Sequence, residues 1–234
     1  MKIGGESNLA DRRVTEWFLR EQARKTLEQA DAAAARPTRP RPVITISRQF
    51  GAGGRTVAAL VAKKMGQDWQ VWDREIIEAM ARNAQARREM IEALDERTRS
   101  WIQEMAADLA NVPTMEPLGY RRHLTQVLLA LAHQGQKVIV GRGANFILKQ
   151  ALNVRLRANL EFRVQQVMRL EGIGHDEALR RIHKVDRERA EFTRRVFDRD
   201  IEDPDAYDMI IRTNGIGFEA TAEAIVAAAR AMFS

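Results

Sequence analysis

Residues 43–56 read VITISRQFGAGGRT, and they are the most informative stretch of this chain. The apolar and β-branched residues at its start predict a short strand. The glycine-rich segment GAGG at residues 51–54 follows, and the run VAALV at residues 57–61 predicts the start of a helix. Glycines permit backbone conformations with positive φ and let other atoms approach the main chain closely. The stretch therefore predicts a strand, a tight turn and a helix, in this order.

Length and composition indicate one large domain, or one domain with an appendage. The chain has 234 residues, of which 45% are hydrophobic and 30% charged, so a substantial core can form and global disorder is excluded. The net charge is +6. This charge favours an anionic partner, such as a nucleotide, a nucleic acid or a membrane surface, although an arginine-rich surface in contact with water explains it equally well.

Cysteine is absent, which excludes disulfide bonds and thiolate metal sites and indicates a reducing compartment. The four histidines form no metal-binding pair at helical i, i+4 spacing, so a zinc enzyme is not expected. We see neither a signal-peptide pattern nor an apolar run long enough to span a bilayer. We therefore expect a soluble cytoplasmic protein without a membrane partner.

The first 41 residues are predicted to form an appendage. Residues 8–35 carry a patchy apolar stripe at helical spacing, and residues 36–42 read RPTRPRP, whose prolines end the helix and form a stiff linker. The chain is thus divided into an N-terminal helix with its linker (residues 1–41) and one domain (residues 42–234). The stripe favours docking on the chain's own core, or on a second copy in a homo-oligomer, over contact with lipid.

Within the domain, short apolar runs alternate with amphipathic stretches, which predicts an α/β fold with a parallel sheet. We expect further strands at residues 69–72, 137–140, 153–157 and 208–213, and helices at residues 57–65, 74–110 (with one break), 120–133, 160–170, 176–197 and 218–232. Four polar residues stand at or just after predicted strand ends: Arg48, Asp73, Arg142 and Thr213. Ligands of parallel sheets bind beyond the carboxyl ends of the strands, so we expect these side chains to converge.

The glycine-rich turn has the composition of a phosphate-binding loop, in which backbone N–H groups and the N-terminus of the next helix face the anion. The pattern G-x-x-x-x-G-K-[ST] nevertheless matches in neither of two registers. In one register Gln49 replaces the first glycine and Arg55 the lysine. In the other, Arg48 replaces the first glycine and Gly54 the lysine. By itself, the turn is explained equally well as a tight connection between strand and helix.

Five segments in order resemble the cytidylate kinase-like family and together span residues 42–234. They are ITISRQFGAGGRT (44–56), WDREII (72–77), VIVGRGANFIL (138–148), DRERA (186–190) and DPDAYDMIIRTN (203–214). The resemblance implies a P-loop NTPase-type sheet with a helical lid and acceptor region, and transfer of the γ-phosphoryl group of ATP to CMP or dCMP with Mg²⁺. Two departures stand out: Gly54 occupies the lysine position, and VGRG at residues 140–143 replaces the family's D-G-R-D.

The resemblance also implies roles for individual residues. ATP is expected at the turn, with Thr56 offering its hydroxyl to Mg²⁺ and Arg55, or else Arg48, in place of the lysine. The residues assigned to ATP are Arg48, Gly51, Ala52, Gly53, Gly54, Arg55 and Thr56. Those assigned to the acceptor are Asp73, Arg74 and Arg142, and Asp186 and Arg189 belong to the lid. Together Arg55, Arg142, Asp186 and Arg189 are the candidate catalytic residues.

Each assignment has a structural alternative. Asp73 is suited to cap a helix, Arg74 to stand in solvent, and Asp186 and Arg189 to form an ordinary i, i+3 ion pair. At the level of function, a catalytically impaired nucleotide-binding regulator is the alternative to the kinase. A nucleic-acid-binding module is suggested by charge alone, because no basic motif with interleaved aromatic residues supports it.

Overall fold

The computed structural model of the protein describes residues 41–110 and 118–234. The predicted N-terminal helix and the predicted loop at residues 112–117 lie outside these ranges. Five strands are present within them: β1 (Val43–Arg48), β2 (Gln70–Trp72), β3 (Lys137–Val140), β4 (Leu152–Arg157) and β5 (Met209–Arg212). They form one parallel sheet in the order β2-β3-β1-β4-β5, which confirms the predicted α/β fold.

The helices of the described ranges cover both faces of this sheet. They are α1 (Gly54–Met65), α2 (Arg74–Arg82), α3 (Ala84–Glu92), α4 (Glu96–Ala110), α5 (Leu118–Gln134), α6 (Ala144–Ile147), α7 (Leu160–Glu171), α8 (His175–Phe197) and α9 (Thr213–Phe233). A single 3₁₀ turn (Pro204–Ala206) precedes β5. None of the helices in this part of the chain is long and apolar enough to cross a bilayer.

Central strands β1 and β3 are buried on both faces, which explains why they read as continuous Val and Ile runs. On one side, Ile139 packs with Ile77 of α2 and Leu128 of α5. On the other side, Ile44 packs with α1 and with Ile225 of α9. Truncating a fully buried Leu or Ile to Ala costs about 2–5 kcal/mol, so these two clusters are what holds the helices on the sheet.

A smaller apolar cluster joins α7 and α8. Val164 and Ile182 are buried in it, and Phe50 of the glycine-rich turn packs against it. Gly172 ends α7 in a left-handed conformation, and the chain then reverses into α8. This packing places the 23-residue helix α8 directly against the turn that follows β1.

The prediction of one helix with a single break at residues 74–110 was wrong, because the structure has three helices there. Asn83 starts α3 by accepting a hydrogen bond from the Ala86 amide at 2.9 Å. Asp95 accepts one from the Thr98 amide at 2.9 Å at the start of α4. Such side chains satisfy amides that a helix start leaves without partners. The position of Trp101 on one face with Met105 predicts a core residue, but its side chain is 46% exposed on α4.

Candidate active site

The turn after β1 has a backbone that requires glycine at two positions. Gly51 and Gly53 have φ values of +81° and +77°, in the left-handed region. A Cβ at Gly51 would come within 2.8 Å of the Arg163 carbonyl oxygen, and one at Gly53 within 2.2 Å of the Phe218 ring. Thr213 holds the turn from the far side, since its hydroxyl donates to the Ala52 carbonyl at 3.1 Å. The turn is therefore a loop that α7 and α9 hold closely from outside.

Arg48, the last residue of β1, runs through the inside of this loop. A Cβ at Gly54 would come within 2.7 Å of its Cγ, and a Cβ at Gly141 within 2.3 Å of its Nη1. The side chain thus crosses the start of α1 and ends against the turn after β3. No carboxylate in the described ranges forms an ion pair with it. Burial, together with the nearby charges of Arg189 and Arg74, holds the pKa of Arg48 well below its ordinary value.

Arg55 lies on the outer side of the loop. Its side chain is 69% exposed, and its Nη2 is 2.8 Å from the Glu75 carboxylate. Partial burial alone would raise the pKa of Glu75, but its own backbone amide, Arg55 and Arg74 together lower it to about 2. Thr56, one residue further along, is exposed on the first turn of α1.

Arg142 stands at the centre of three consecutive residues with positive φ: Gly141 at +86°, Arg142 at +55° and Gly143 at +65°. A Cβ at Gly143 would come within 2.1 Å of the Phe197 ring. The Arg142 guanidinium pairs with Glu78 and lies 4.4 Å from the centre of the Phe192 ring, with its side chain only 11% exposed. Burial lowers its pKa, and Glu78 opposes that effect. Few non-glycine residues adopt this conformation, which makes Arg142 a candidate functional residue.

Helix α8 clamps the loop through two side chains. Asp186 accepts a hydrogen bond from the Phe50 amide at 2.7 Å and pairs with Arg163 of α7. One turn away, Arg189 donates to the Arg48 carbonyl oxygen at 2.9 Å. Burial lowers the pKa of Arg189 to about 10, opposed by Asp186 and reinforced by Arg74, Arg155 and Arg142. Asp186 and Arg189 therefore hold the loop's backbone as well as each other.

A cavity of about 310 Å³ opens between α2, the turn after β3 and α8. Six arginines line it, together with the carboxylates of Glu78 and Glu188; they are Arg48, Arg74, Arg82, Arg142, Arg189 and Arg195. The charge of Arg74 lowers the pKa of Arg48, Arg142 and Arg189, so these four cations repel one another across the same space. A second cavity, of about 340 Å³, also has Arg48 and Arg189 in its wall and includes the carboxylates of Asp186, Asp200 and Glu202.

The structure separates the remaining predicted residues. Asp73 does not line the first cavity; it caps α2 by accepting from the Ile76 amide at 3.2 Å. Arg74 is 45% exposed and pairs with Glu75, yet it also lines the cavity. In the DPDAYD segment, Asp203 caps the 3₁₀ turn and Asp208 accepts from the Asn153 amide at 2.7 Å. That part of the sequence pattern therefore serves the fold.

Two polar residues of the site were missed at the level of sequence. Arg163 is buried on α7 as the partner of Asp186, and Arg155 is buried on β4, where it donates to the Ser47 hydroxyl at 2.8 Å. Arginine at an apolar-face position of a helix, or inside a buried strand, is the signal that could have identified them. Such cations persist in a core only when they are paired.

The residues present fit a divalent metal that is held mainly by phosphate. Within residues 41–110 and 118–234, no group of three His, Asp or Glu side chains could hold a metal ion. Thr56 offers one exposed oxygen next to the loop. Mg²⁺ ordinarily keeps several waters and is bound through few protein ligands plus substrate phosphates, so one hydroxyl is compatible with it.

Solved structures show where this fold occurs elsewhere. An uncharacterized protein from Eubacterium ventriosum has a TM-score of 0.57 at 19% identity, over 81% of this chain and 99% of that one. Shikimate kinase from Acinetobacter baumannii, solved with shikimate, gives 0.42 at 20% identity over 82% and 94%. A protein from Thermus thermophilus gives 0.43 at 21% identity over 81% and 98%. The first likeness supports the fold, and the other two are too distant to support a conclusion.

No protein of curated function matches the chain in sequence. A family model does match it, and the match includes the sheet, the glycine-rich loop, the turn bearing Arg142 and helix α8. Because the model of the cytidylate kinase-like family matches residues 43–215, most of its length, this chain belongs to the cytidylate kinase-like family.

Proposed function

We propose that this protein transfers the γ-phosphoryl group of ATP to CMP, dCMP or a closely related small acceptor. Membership of the cytidylate kinase-like family supports a nucleotide kinase-like role. The observation that carries the finer proposal is the convergence of Arg48, Arg74, Arg142 and Arg189 on one cavity beside the glycine-rich loop. Phosphoryl transfer requires mainly positioning and neutralisation of dispersed negative charge, and four cations around one space supply both.

In this proposal the ATP phosphates lie along the loop, at residues 51–56, and the acceptor phosphate lies near Arg142 and Arg74. Bound Mg²⁺, held through Thr56, would neutralise charge on the ATP phosphates. The Arg142 fork, fixed between two glycines, can hold an acceptor phosphate through two parallel hydrogen bonds. An acceptor phosphate oxygen is already ionised, so no strong general base is needed. Asp186 positions the loop through the Phe50 amide.

Closure of α8 over the loop would exclude water, which otherwise competes with the acceptor for the phosphoryl group. Arg189 is placed to act in this step, because it lines the cavity and contacts the loop's backbone. We place the reaction in the cytoplasm, in keeping with the absence of cysteine and with the need for ATP. A homo-oligomer formed through residues 1–41 remains part of the proposal, although these residues lie largely outside the described ranges.

The test is incubation of the full chain with ATP, Mg²⁺ and a panel of nucleoside monophosphates, with ADP release as the readout. We expect turnover with CMP or dCMP that falls at least a hundredfold in Arg142→Ala. Arg169→Ala, an exposed change on α7, is the matched control and should not alter the rate. ADP release that is the same with and without every acceptor would contradict the proposal.

A catalytically impaired nucleotide-binding regulator is the second candidate, and the turn after β3 favours it. The family's D-G-R-D pattern has carboxylates at two positions, which are Val140 and Gly143 here. Val140 is fully buried, and the Phe197 ring occupies the space that a Cβ at Gly143 would need. Neither position has room to present a carboxylate to the cavity. ATP that raises the melting temperature without any turnover across the panel would support this candidate over the kinase.

A further inference from the structure

In one register the loop departs from the usual phosphate-binding pattern at three positions, and the structure connects two of them. When Gly53 is placed on the second glycine of G-x-x-x-x-G-K-[ST], Arg48 stands at the first glycine, Gly54 at the lysine and Arg55 at the Ser or Thr. The Cγ of Arg48 lies 2.7 Å from where the Cβ of residue 54 would be. The stem of Arg48 thus occupies the space in which a lysine side chain at position 54 would begin.

Residue 54 has to be glycine because a side chain there would collide with Arg48, and not because its backbone conformation requires glycine. It lies in the first turn of α1, and its φ lies outside the left-handed region that Gly51 and Gly53 occupy. Any side chain at residue 54 would therefore be tolerated by the backbone but would collide with Arg48. Gly141 completes the channel, because its missing Cβ leaves room for the Arg48 guanidinium at the edge of the cavity.

The surroundings of Arg48 call for an anionic ligand. Its guanidinium is partly buried next to Arg189 and Arg74, and no carboxylate in the described ranges forms an ion pair with it. The charge of Glu75 raises the pKa of Arg48, but burial and the two arginines lower it by more, so the cation is only partly compensated until an anion binds. Arg55, by contrast, already pairs with Glu75 on the outer side of the loop and is mostly exposed.

We propose that Arg48 is the loop's phosphate-binding cation. In this loop the cation stands at the usual position of the first glycine, and a glycine, Gly54, stands at the usual position of the lysine; we call this the exchange. This inference rests on the proposed function for its reaction, but it requires only that the loop bind a phosphate chain. The guanidinium contributes a permanent charge and two parallel donors, so it can bridge two oxygens of a triphosphate where an ammonium group meets them as a point charge.

The experiment measures the affinity of the full chain for inorganic triphosphate with Mg²⁺ by isothermal titration calorimetry. The melting temperature of the same protein without ligand is measured in parallel. Arg48→Ala should weaken binding about tenfold to a hundredfold, while Arg55→Ala weakens it less than threefold. The melting temperature of ligand-free Arg48→Ala should not fall, since the change removes an unpaired cation; a purely structural role would lower it. Arg169→Ala is again the matched control.

The decisive variant is the double change R48G/G54K, which restores the first glycine and the lysine of the usual pattern and leaves Arg55 at the Ser or Thr position. It should bind triphosphate at least tenfold more tightly than Arg48→Gly alone, because the new lysine has the space that the arginine stem vacated. Gly54→Lys alone should be destabilised, since both side chains then compete for one channel.

Other outcomes overturn the inference. The exchange is excluded if Arg48→Ala binds triphosphate as tightly as the natural chain does. It is also excluded if Arg55→Ala loses more affinity than Arg48→Ala, or if the double variant binds no more tightly than Arg48→Gly. Failure of the natural chain to bind triphosphate overturns both this inference and the ATP site. Triphosphate binding that depends on Arg48, with no turnover of any acceptor, overturns the proposed kinase and leaves the exchange standing.

Discussion

Single residues carry much of the strain and charge of this site. Arg142 is held at φ +55° between two glycines, and its buried guanidinium has one carboxylate partner and one aromatic partner. Left-handed conformations cost non-glycine residues on the order of 1 kcal/mol or more. A site that keeps an arginine in that conformation needs the guanidinium in that place more than it needs a relaxed backbone.

Replacing Arg142 by two different small residues separates its strain from its function. Arg142→Gly and Arg142→Ala both remove the guanidinium and leave Glu78 without it, but only alanine keeps the backbone strain. We expect Arg142→Gly to be more stable than Arg142→Ala by about 1 kcal/mol in urea unfolding, with acceptor-dependent activity lost in both. Equal stabilities would show that the turn relaxes in the absence of the side chain.

Glu75 should make stability depend on acid pH. Its pKa is lowered from 4.5 to about 2, so its contribution is complete above pH 4.5 and disappears as the pH falls toward 2. Glu75→Gln should therefore be less stable than the natural chain by about 1–2 kcal/mol at pH 6, with a difference that vanishes near pH 2. Urea unfolding at several pH values measures this. Glu104→Gln, an exposed change on α4, should give the same curve as the natural chain.

At the scale of elements, α8 supports the loop. Asp186 connects it to the Phe50 amide and to Arg163 of α7, while Arg189 connects it to the end of β1. An i, i+3 pair on a charged helix looked like a surface ion pair in sequence. In the fold, both side chains turn toward the loop because the apolar residues Val164 and Ile182 fix how α7 and α8 pack.

Loss of the Asp186 carboxylate should loosen the loop before it unfolds the chain. In Asp186→Ala we expect the Phe50 amide to exchange with solvent at least tenfold faster, and stability to fall by about 1–3 kcal/mol because Arg163 loses its partner. Hydrogen exchange at Phe50 and urea unfolding measure these effects. Asp186→Asn keeps an acceptor for the amide, so it should protect Phe50 better than alanine does. Asp176→Ala, which is exposed on the same helix, should change neither quantity.

For the whole molecule, the positive charge is concentrated where a ligand is expected. The chain has a net charge of +6, and six of its arginines line one cavity. Self-repulsion of this kind weakens the ligand-free fold and is relieved when an anion binds. Composition alone left open whether the charge belonged to a site or to a surface in contact with water, since both require the same residues.

Inorganic triphosphate should therefore stabilise the protein more than salt does. At a hundredfold excess over its dissociation constant, a single-site ligand adds about 2.7 kcal/mol, which corresponds to a rise of roughly 5–10 °C in melting temperature for a chain of this size. Sodium chloride at the same ionic strength should give a clearly smaller rise, because screening does not replace a bound anion. A thermal melt monitored by circular dichroism measures both, and equal rises would argue against a specific site.

The amino-acid sequence by itself determined the sheet and the loop. Buried parallel strands must be apolar on both faces, so β1 and β3 were visible as Val and Ile runs, and the turns after them were visible as glycines. The order of these elements also carried the resemblance to the family. Helix boundaries between residues 74 and 110 were less visible, because Asn83 and Asp95 act as caps only through local geometry.

Only the tertiary structure decided which arginine enters the loop. Arg48 and Arg55 stand at opposite ends of the same glycine-rich stretch, and nothing in their spacing tells the inner from the outer side. The decision depends on Gly54 and Gly141, which come from different parts of the chain and together leave one channel that Arg48 fills. Arg55 is left facing Glu75. Helices and strands can be predicted from sequence because their side-chain periodicity is set by neighbouring residues. The site depends instead on the space left between elements that are distant in sequence.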